Sequence, residues 1–548
     1  MTKILKIGIL LLLTLSISCN MNKEKADLLI KNGTIYSLNQ NSEIVEAVVI
    51  KDGKILATGN SSELEKQFDF AETIDLKGAF VYPGFNDAHC HFYSYGYGLE
   101  NRVDLTGTKS MEEIAEKLKD FSQIRELKVL EGRGWDQNLW KVKEWPDNRL
   151  LDSLFPEIPV ILIRIDGHAA LVNSKALEMA SFTNNTKIDG GDLLLKDGQL
   201  TGVLIDNAVD EIVKIIPAAN REQIEKSLII AQKNCFAAGL SSITDAGLDA
   251  EIIQIIDSLQ KAGQLKIRIN AMLTPGKKNF EDFLYKGIYK TEKLSVRSVK
   301  LYADGALGSR GARLIEEYSD DAGNYGLFIK DDNYYREICK TALKNGYQVC
   351  THAIGDSAVR KMLNIYSEFL KGKNDLRWRI EHSQIVANED FQLFGKFSIV
   401  PSIQTTHATS DMYWAESRLG NERIKNAYAY KKLLQENEWL PNGTDFPIEE
   451  IYPLKTFFAA VFRKDYNGWP ESGFMPENAL TPEQAIKSIT IWPAKAAFEE
   501  KEKGTIEKGK YADFTILDTD ILKSDEEKTK TAKVIYTICN GEVVYKNN

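Results

Sequence analysis

The stretch Tyr82–His91, YPGFNDAHCH, decides how the rest of the chain is read. A Pro-Gly entry leads into a short segment that ends in two histidines one residue apart. On a strand, alternate residues face one side, so His89 and His91 present both imidazoles to one point while Cys90 faces away. Paired imidazoles at a strand end are a metal-binding arrangement.

Seven later segments repeat this form of an apolar run that ends in polar residues: SSITDAG (241–247), LKIRINAML (265–273), SVKLYADG (298–305), YQVCTHAIG (347–355), LRWRIEHS (376–383), FSIVPSIQT (397–405) and EWLPNGTDFP (438–447). Amphipathic segments such as DSAVRKMLNIYSEFLK (356–371) lie between most of them. Eight strands with helical crossovers predict an α/β chain folded as a closed (β/α)8 TIM-like barrel. The connection from Phe92 to Leu240 is too long for a loop. It reads as an α+β subdomain inserted after the first barrel strand, about residues 104–235, lying over the barrel mouth. Both ends of the chain are short-strand and turn-rich, with Asn32-Gly33, Asp52-Gly53 and Asn540-Gly541 as turns. They predict one discontinuous β-sandwich, 19–80 and 504–548, around a barrel at 81–503. A capping box is expected at Thr481 and Gln484.

The chain has six histidines among 548 residues, so their placement is informative. His352 and His382 each follow an apolar run by one step. A lone histidine there reads as a core residue; two on consecutive strands favour a second metal site. Asp445, in TDFP, stands at the eighth strand end, where a carboxylate takes the proton from a metal-activated water. Its alternative is a helix cap or turn. The formal net charge of −9 argues against nucleic acid as a partner, because phosphate binding wants a basic field. The cysteines Cys90, Cys235, Cys339, Cys350 and Cys539 are scattered and are expected as buried free thiols.

With these residues stand GRGWDQNLW (132–140), IDGHAALVNSKAL (165–177), VKLYADGALGSRGARL (299–314), PSIQTTHATSDM (401–412), NGTDFPIE (442–449) and KGTIEKGKYADFTILD (503–518). Across about residues 26–545 the chain resembles the amidohydrolase superfamily, in its family 3 or YtcJ-like branch. The resemblance implies a barrel with a composite β-sandwich, and metal-assisted hydrolysis of amide-type C–N bonds. It implies two divalent ions, zinc, held by His89, His91, His352, His382 and Asp445. It also places Lys300 at the fourth strand, where a carboxylated lysine bridges the ions; the alternative is an ion pair with Asp304. Asp445 is then the general base and returns the proton to the leaving amine. Substrate-binding candidates are Trp135, Asp136, His168, Asn173, Arg310, Arg313 and His407. Trp135 also reads as core, and the two arginines also read as partners of Glu316, Glu317 and Asp320. The expected partners are a small-molecule substrate and a second copy of the chain. An ester, lactone or cyclic-amide hydrolase on the same centre is the alternative activity. A non-catalytic exported binding lipoprotein is the alternative from another class.

The N-terminus carries its own information. Lys3 and Lys6 precede an apolar run, Ile7 to Leu15, that is too short to span a bilayer as a helix. LSISCN, ending at Cys19 and Asn20, resembles a bacterial lipoprotein signal, with Ser16 where leucine is more usual. Residues 1–18 are thus read as a signal peptide and Cys19 as the lipidated residue. The protein is expected in a bacterial cell envelope, anchored to the membrane by that lipid. Removal of residues 1–18 deletes two lysines and takes the net charge to −11. Mass spectrometry of the native N-terminus is expected to show diacylglycerol on Cys19; an intact Met1 would overturn the assignment.

Overall fold

The computed structural model describes residues 23–123 and 128–547. The segment read as a signal peptide, residues 1–18, and Cys19 lie outside the described residues. Among the described residues, no helix is long and apolar enough to cross a membrane.

The barrel strands are β1 (Phe85–Cys90), β2 (Leu240–Leu248), β3 (Arg268–Leu273), β4 (Leu294–Tyr302), β5 (Gln348–Ala353), β6 (Arg379–His382) and β7 (Val400–Ser402). They lie side by side in that order, and every neighbouring pair is parallel. β1, β3, β5 and β6 are buried along their whole length, as parallel strands under a helical layer must be.

The expected eighth strand is present as a position but not as a regular strand. Residues 441–445 fill the gap between β7 and β1. On one side Ile403 N–H donates to Pro441 O at 2.9 Å, and Gly443 N–H donates to Ile403 O at 2.9 Å. On the other, Ala88 N–H donates to Asn442 O at 3.3 Å, and Asp445 N–H donates to His89 O at 2.8 Å. Pro441 has no N–H to give to a ladder. Gly443 passes so close to β1 that a Cβ would lie 2.5 Å from His89 N. The segment then turns through Asp445 at φ +61°.

Between β1 and β2 stands a six-stranded mixed sheet built from Val103–Asp104, Leu130–Trp135, Val160–Arg164, Ala169–Val172, Gly191–Lys196 and Gln199–Asp206. It has an apolar cluster on each face, one around Trp135 and Leu162 and one around Ile161 and Val172. The helix Arg221–Ala237 that follows packs on the helix Phe92–Asn101 and on β2.

The chain ends form two sheets around one core. The first contains Glu24–Lys31, Ala47–Lys51, Lys54–Gly59 and Phe68–Asp75. The second is composite: Phe514–Leu517 from the C-terminal part pairs antiparallel with Phe80–Pro83, which leads straight into β1. The turns at Asp52-Gly53 and Asn540-Gly541 have positive φ at both residues, as two-residue hairpins require. At Asn32-Gly33 only Asn32 has positive φ, and the strands on either side join different sheets. That turn carries the chain across the sandwich rather than closing a hairpin. The capping box at Thr481 and Gln484 is formed, and the five described cysteines are free and buried.

One buried ion pair ties barrel to sandwich. Arg268 on β3 donates to both carboxylate oxygens of Asp513, at 2.7 and 3.2 Å, and to Asn540 Oδ1 at 3.1 Å. Its guanidinium lies 3.7 Å over the Tyr511 ring. Removing one member of a buried pair strands the other charge and costs roughly 3–5 kcal/mol, whereas an exposed pair contributes about 0–1 kcal/mol. Asp513→Ala is therefore expected to lower the urea midpoint clearly. Lys266→Ala, which breaks the exposed pair with Glu542, is expected to leave it within error.

Candidate metal centre

The polar ends of the strands converge on a cavity of about 670 Å³ at the barrel mouth. His89 is fully buried on β1. Its Nδ1–H donates to Glu381 Oε2 at 2.5 Å, and Arg379 Nη2 donates to the same carboxylate at 2.9 Å. Burial would favour a neutral acid, but Arg379 and His89 outweigh it and hold the Glu381 carboxyl well below the usual range. The carboxylate in turn selects the His89 tautomer and leaves Nε2 as a lone pair. Burial and the Lys300 ammonium hold the imidazole down at about 4.

His91 follows the end of β1 and precedes the helix Phe92–Asn101. Its Nε2 lies 3.3 Å from Asp445 Oδ1, and His89 Nε2 lies 3.6 Å from the same oxygen. His382 ends β6 at φ +70°, with its ring 5.0 Å from that of His89. Its Nδ1 and Asp445 Oδ1 are buried and accept or donate no hydrogen bond. Buried polar atoms are almost always satisfied, so two such atoms facing one cavity fit a bound cation. Two of the residues, His382 and Asp445, also hold left-handed backbone, the strain that collects at functional sites.

Asp445 is shared between two groups whose donor atoms all lie within 4.8 Å of one another: His89, His91 and Asp445, and His382, His407 and Asp445. This is the donor set of a binuclear divalent-metal site. Burial works against the Asp445 carboxylate, but His407, His89 and His91 together hold it well below its ordinary value.

His407 and His352 need separate treatment. His407 sits in the first turn of the helix Thr405–Asp411, with Nε2 3.2 Å from Asp445 Oδ2 and Nδ1 3.2 Å from Glu449 Oε1. Burial opposes its charge, but the two carboxylates push it up to about 10. His407 thus stands in the second donor group with His382 and Asp445, and its other ring nitrogen faces Glu449. His352 stands outside both groups, with its ring 4.6 Å from that of His382 and Nε2 3.4 Å from Gly305 O. Burial keeps His352 and His382 neutral.

Lys300 is buried on β4 with Nζ 3.3 Å from His89 Nε2. Burial lowers its ammonium to about 8. The alternative pairing with Asp304 is not formed. That carboxylate instead accepts the backbone N–H groups of Arg313, Ile354 and Gly355.

Asp136 and His168 line the cavity from the inserted sheet. Asp136 pairs with Arg164, and His168 Nδ1 lies 2.7 Å from Asp206 Oδ1. Four substrate-binding candidates are corrected. Trp135 is fully buried against Trp140 and Trp145 and donates to Leu162 O, so it belongs to the subdomain core. Asn173 is buried as the N-cap of the helix Ser174–Met179 and donates to two backbone carbonyls. Arg310 pairs with Asp320, and Arg313 donates to Gly326 O; neither lines the cavity. Sequence reasoning missed Arg379, Glu381 and Glu449. The first two were visible as alternate charged residues on a strand between apolar neighbours, RWRIEH.

Comparison with known proteins agrees with this chemistry. The sequence profile described as the amidohydrolase family matches residues 72–545. The chain is 32% identical over 534 residues to YtcJ of Bacillus subtilis (strain 168), covering 94% of this chain and 99% of the relative. It is 23% identical over 547 residues to the N-substituted formamide deformylase of Arthrobacter pascens, covering 95% and 98%. An uncharacterized metal-dependent hydrolase from Pyrococcus horikoshii OT3 superposes with a TM-score of 0.75 at 30% identity, covering 91% of this chain and 99% of that one. The match runs through the strands that carry the histidines and through both halves of the sandwich, and so the chain belongs to the amidohydrolase family, as a metal-dependent hydrolase acting on carbon–nitrogen bonds.

Proposed function

We propose that the protein hydrolyses a non-peptide amide bond of a small molecule, with Asp445 as the group that moves the proton. The observation that carries this reading is the Asp445 carboxylate itself. It is ionised, faces three histidines, and keeps Oδ1 free of any hydrogen bond. The deformylase relative, which acts on N-substituted formamides, supports an N-acyl substrate.

His89, His91 and Asp445 would hold one divalent ion, and His352 with His382 the other. Bound zinc supplies Lewis acidity and lowers the pKa of the attacking water. Asp445 takes the proton of that water as it adds to the substrate carbonyl. The same carboxyl then gives the proton to the departing nitrogen, so the count balances with no further acid. An amine leaving group needs that proton far more than an alkoxide does, which favours amide over ester cleavage. His407, held between Asp445 and Glu449, fixes the carboxylate's orientation. Glu381 and Arg379 do the same for His89. Lys300, as its neutral amine, would react with carbon dioxide, forming an N–C bond and releasing one proton. A carbamate there would replace a cation that repels the ions with an anion that attracts them.

Two outcomes are expected. Asp445→Asn lowers kcat by roughly 10²–10⁴-fold, the usual worth of a positioned general base, with metal content little changed. The measurement is kcat on an N-acyl amine and its matched ester, with metal assayed in parallel; near-normal turnover with metals retained removes Asp445 as the base. Elemental analysis of protein purified without chelator is expected to give about two divalent ions per chain. Lys300→Ala is expected to lower that content. One fully occupied site beside an unmodified Lys300 would overturn the bridge.

A further inference from the structure

The motif GRGWDQNLW is not accounted for by Trp135 or Asp136. Its unexplained residue is Arg133. Three arginines line the cavity: Arg102, Arg133 and Arg164. Arg102 Nε is 2.9 Å from Glu131, and Arg164 is clamped between Asp136 and Asp166. Arg133 differs from both. Among the described residues it forms no ion pair. Its one hydrogen bond runs from Nη2 to Ile165 O at 3.3 Å, and its Nε is buried without a partner.

The fold places this cation deliberately. The pairing of Leu130–Trp135 with Val160–Arg164 shifts register between Arg133 and Trp135. Gly134 takes φ +111° there, and a Cβ on it would lie 2.5 Å from Thr106 Oγ1. A bulge of this kind re-aims the adjacent side chain. Arg133 lines the same cavity as His91 and Asp445, and its charge is felt at His91. Burial, with the neighbouring Arg102 charge, lowers its guanidinium to about 10 against the more distant pull of Asp166 and Asp445, neither of which pairs with it.

We propose that Arg133 is the specificity determinant for a substrate that carries a carboxylate next to the scissile amide, an N-acyl amino-acid-like monoanion. A guanidinium presents paired N–H donors that match a carboxylate in geometry. The other two arginines are already neutralised, and Asp136, Asp166 and Glu449 also line the wall, so a single negative charge fits and a dianion is repelled. Tyr95, Leu99, Leu139 and Trp414 supply apolar surface for the rest of the molecule. This inference rests on the amide-hydrolase reading for the bond that is cut, but not for the binding of the carboxylate.

The test compares N-acetylphenylalanine, as both enantiomers, with N-acetylphenethylamine, which lacks only the carboxylate. On the metal-loaded enzyme the carboxylate probe is expected to have a higher kcat/KM, by on the order of 10–10²-fold for a charge-assisted contact. Calorimetric binding to Asp445→Asn, which holds either probe uncut, is expected to show the same preference. Arg133→Gln in each background is expected to abolish it, and Arg133→Lys, which keeps the charge without the fork, to retain part. Should Arg133→Gln fail a thermal-melt check of folding, Arg133→Lys carries the test alone, with a several-fold loss of preference expected. Equal binding of the two probes, or a preference that survives substitution of Arg133, overturns the proposal. Absent turnover of both probes, with the binding preference intact and dependent on Arg133, rejects the amide-cleavage reading and leaves this one standing.

Discussion

The carboxylate of Asp87 reinforces the closure of the barrel where its eighth strand is irregular. It accepts from His89 N–H at 3.0 Å, from Thr444 N–H at 3.1 Å and from Thr444 Oγ1 at 2.6 Å. Residues 441–445 cannot complete a regular ladder, because Pro441 has no donor and Asp445 leaves the strand conformation. Asp87 replaces the absent ladder bonds with side-chain ones at the point where Asp445 must meet His89 and His91. Burial raises its carboxyl to about 7, against the pull of those same donors. The position of Asp445, and with it the shared corner of the two donor groups, rests on this contact together with the Asp445 N–H bond to His89 O.

Around that corner the barrel buries an unusual amount of charge. Arg379, Glu381, Lys300 and Asp445 are all at most 4% exposed. Buried ions are tolerated only when paired and hydrogen-bonded. Arg379 meets this condition, donating to Glu381, Ala88 O and Ser402 Oγ. Lys300 does not, since its nearest polar partner is an imidazole nitrogen. Arg379 and Glu381 are supports: they spend their charge on orienting His89.

The inserted sheet gives the site its outer wall. His168 reaches from it to within 5.0 Å of the His352 ring, and Arg418 beyond β7 donates to Asn138 in the insert at 2.9 Å. The wall is therefore bonded to the barrel on two sides. Its polar lining is mostly self-neutralised, which makes the lone cation at Arg133 informative.

Much of this was legible in the sequence. Short apolar runs that end in polar residues marked eight strand positions and their order, seven of which form regular strands, because such runs are local. The scarcity of histidine made His89, His91, His352 and His382 stand out, and TDFP marked Asp445. Paired turns at both ends foretold the composite sandwich. What the sequence could not decide is which polar groups satisfy one another, since that depends on neighbours far apart in the chain. Asn173 and Trp135 looked available until burial showed their partners to be backbone carbonyls. Arg310 and Arg313 follow the fourth strand closely, yet the chain between them folds back on its own acids and carbonyls. His407 reads as a substrate-binding residue in one dimension; only the tertiary fold sets it between Glu449 and Asp445 and in one donor group with His382. Local pattern determined the elements and the residue types at their ends, while tertiary packing decided which of those residues were left with an unused atom facing the cavity.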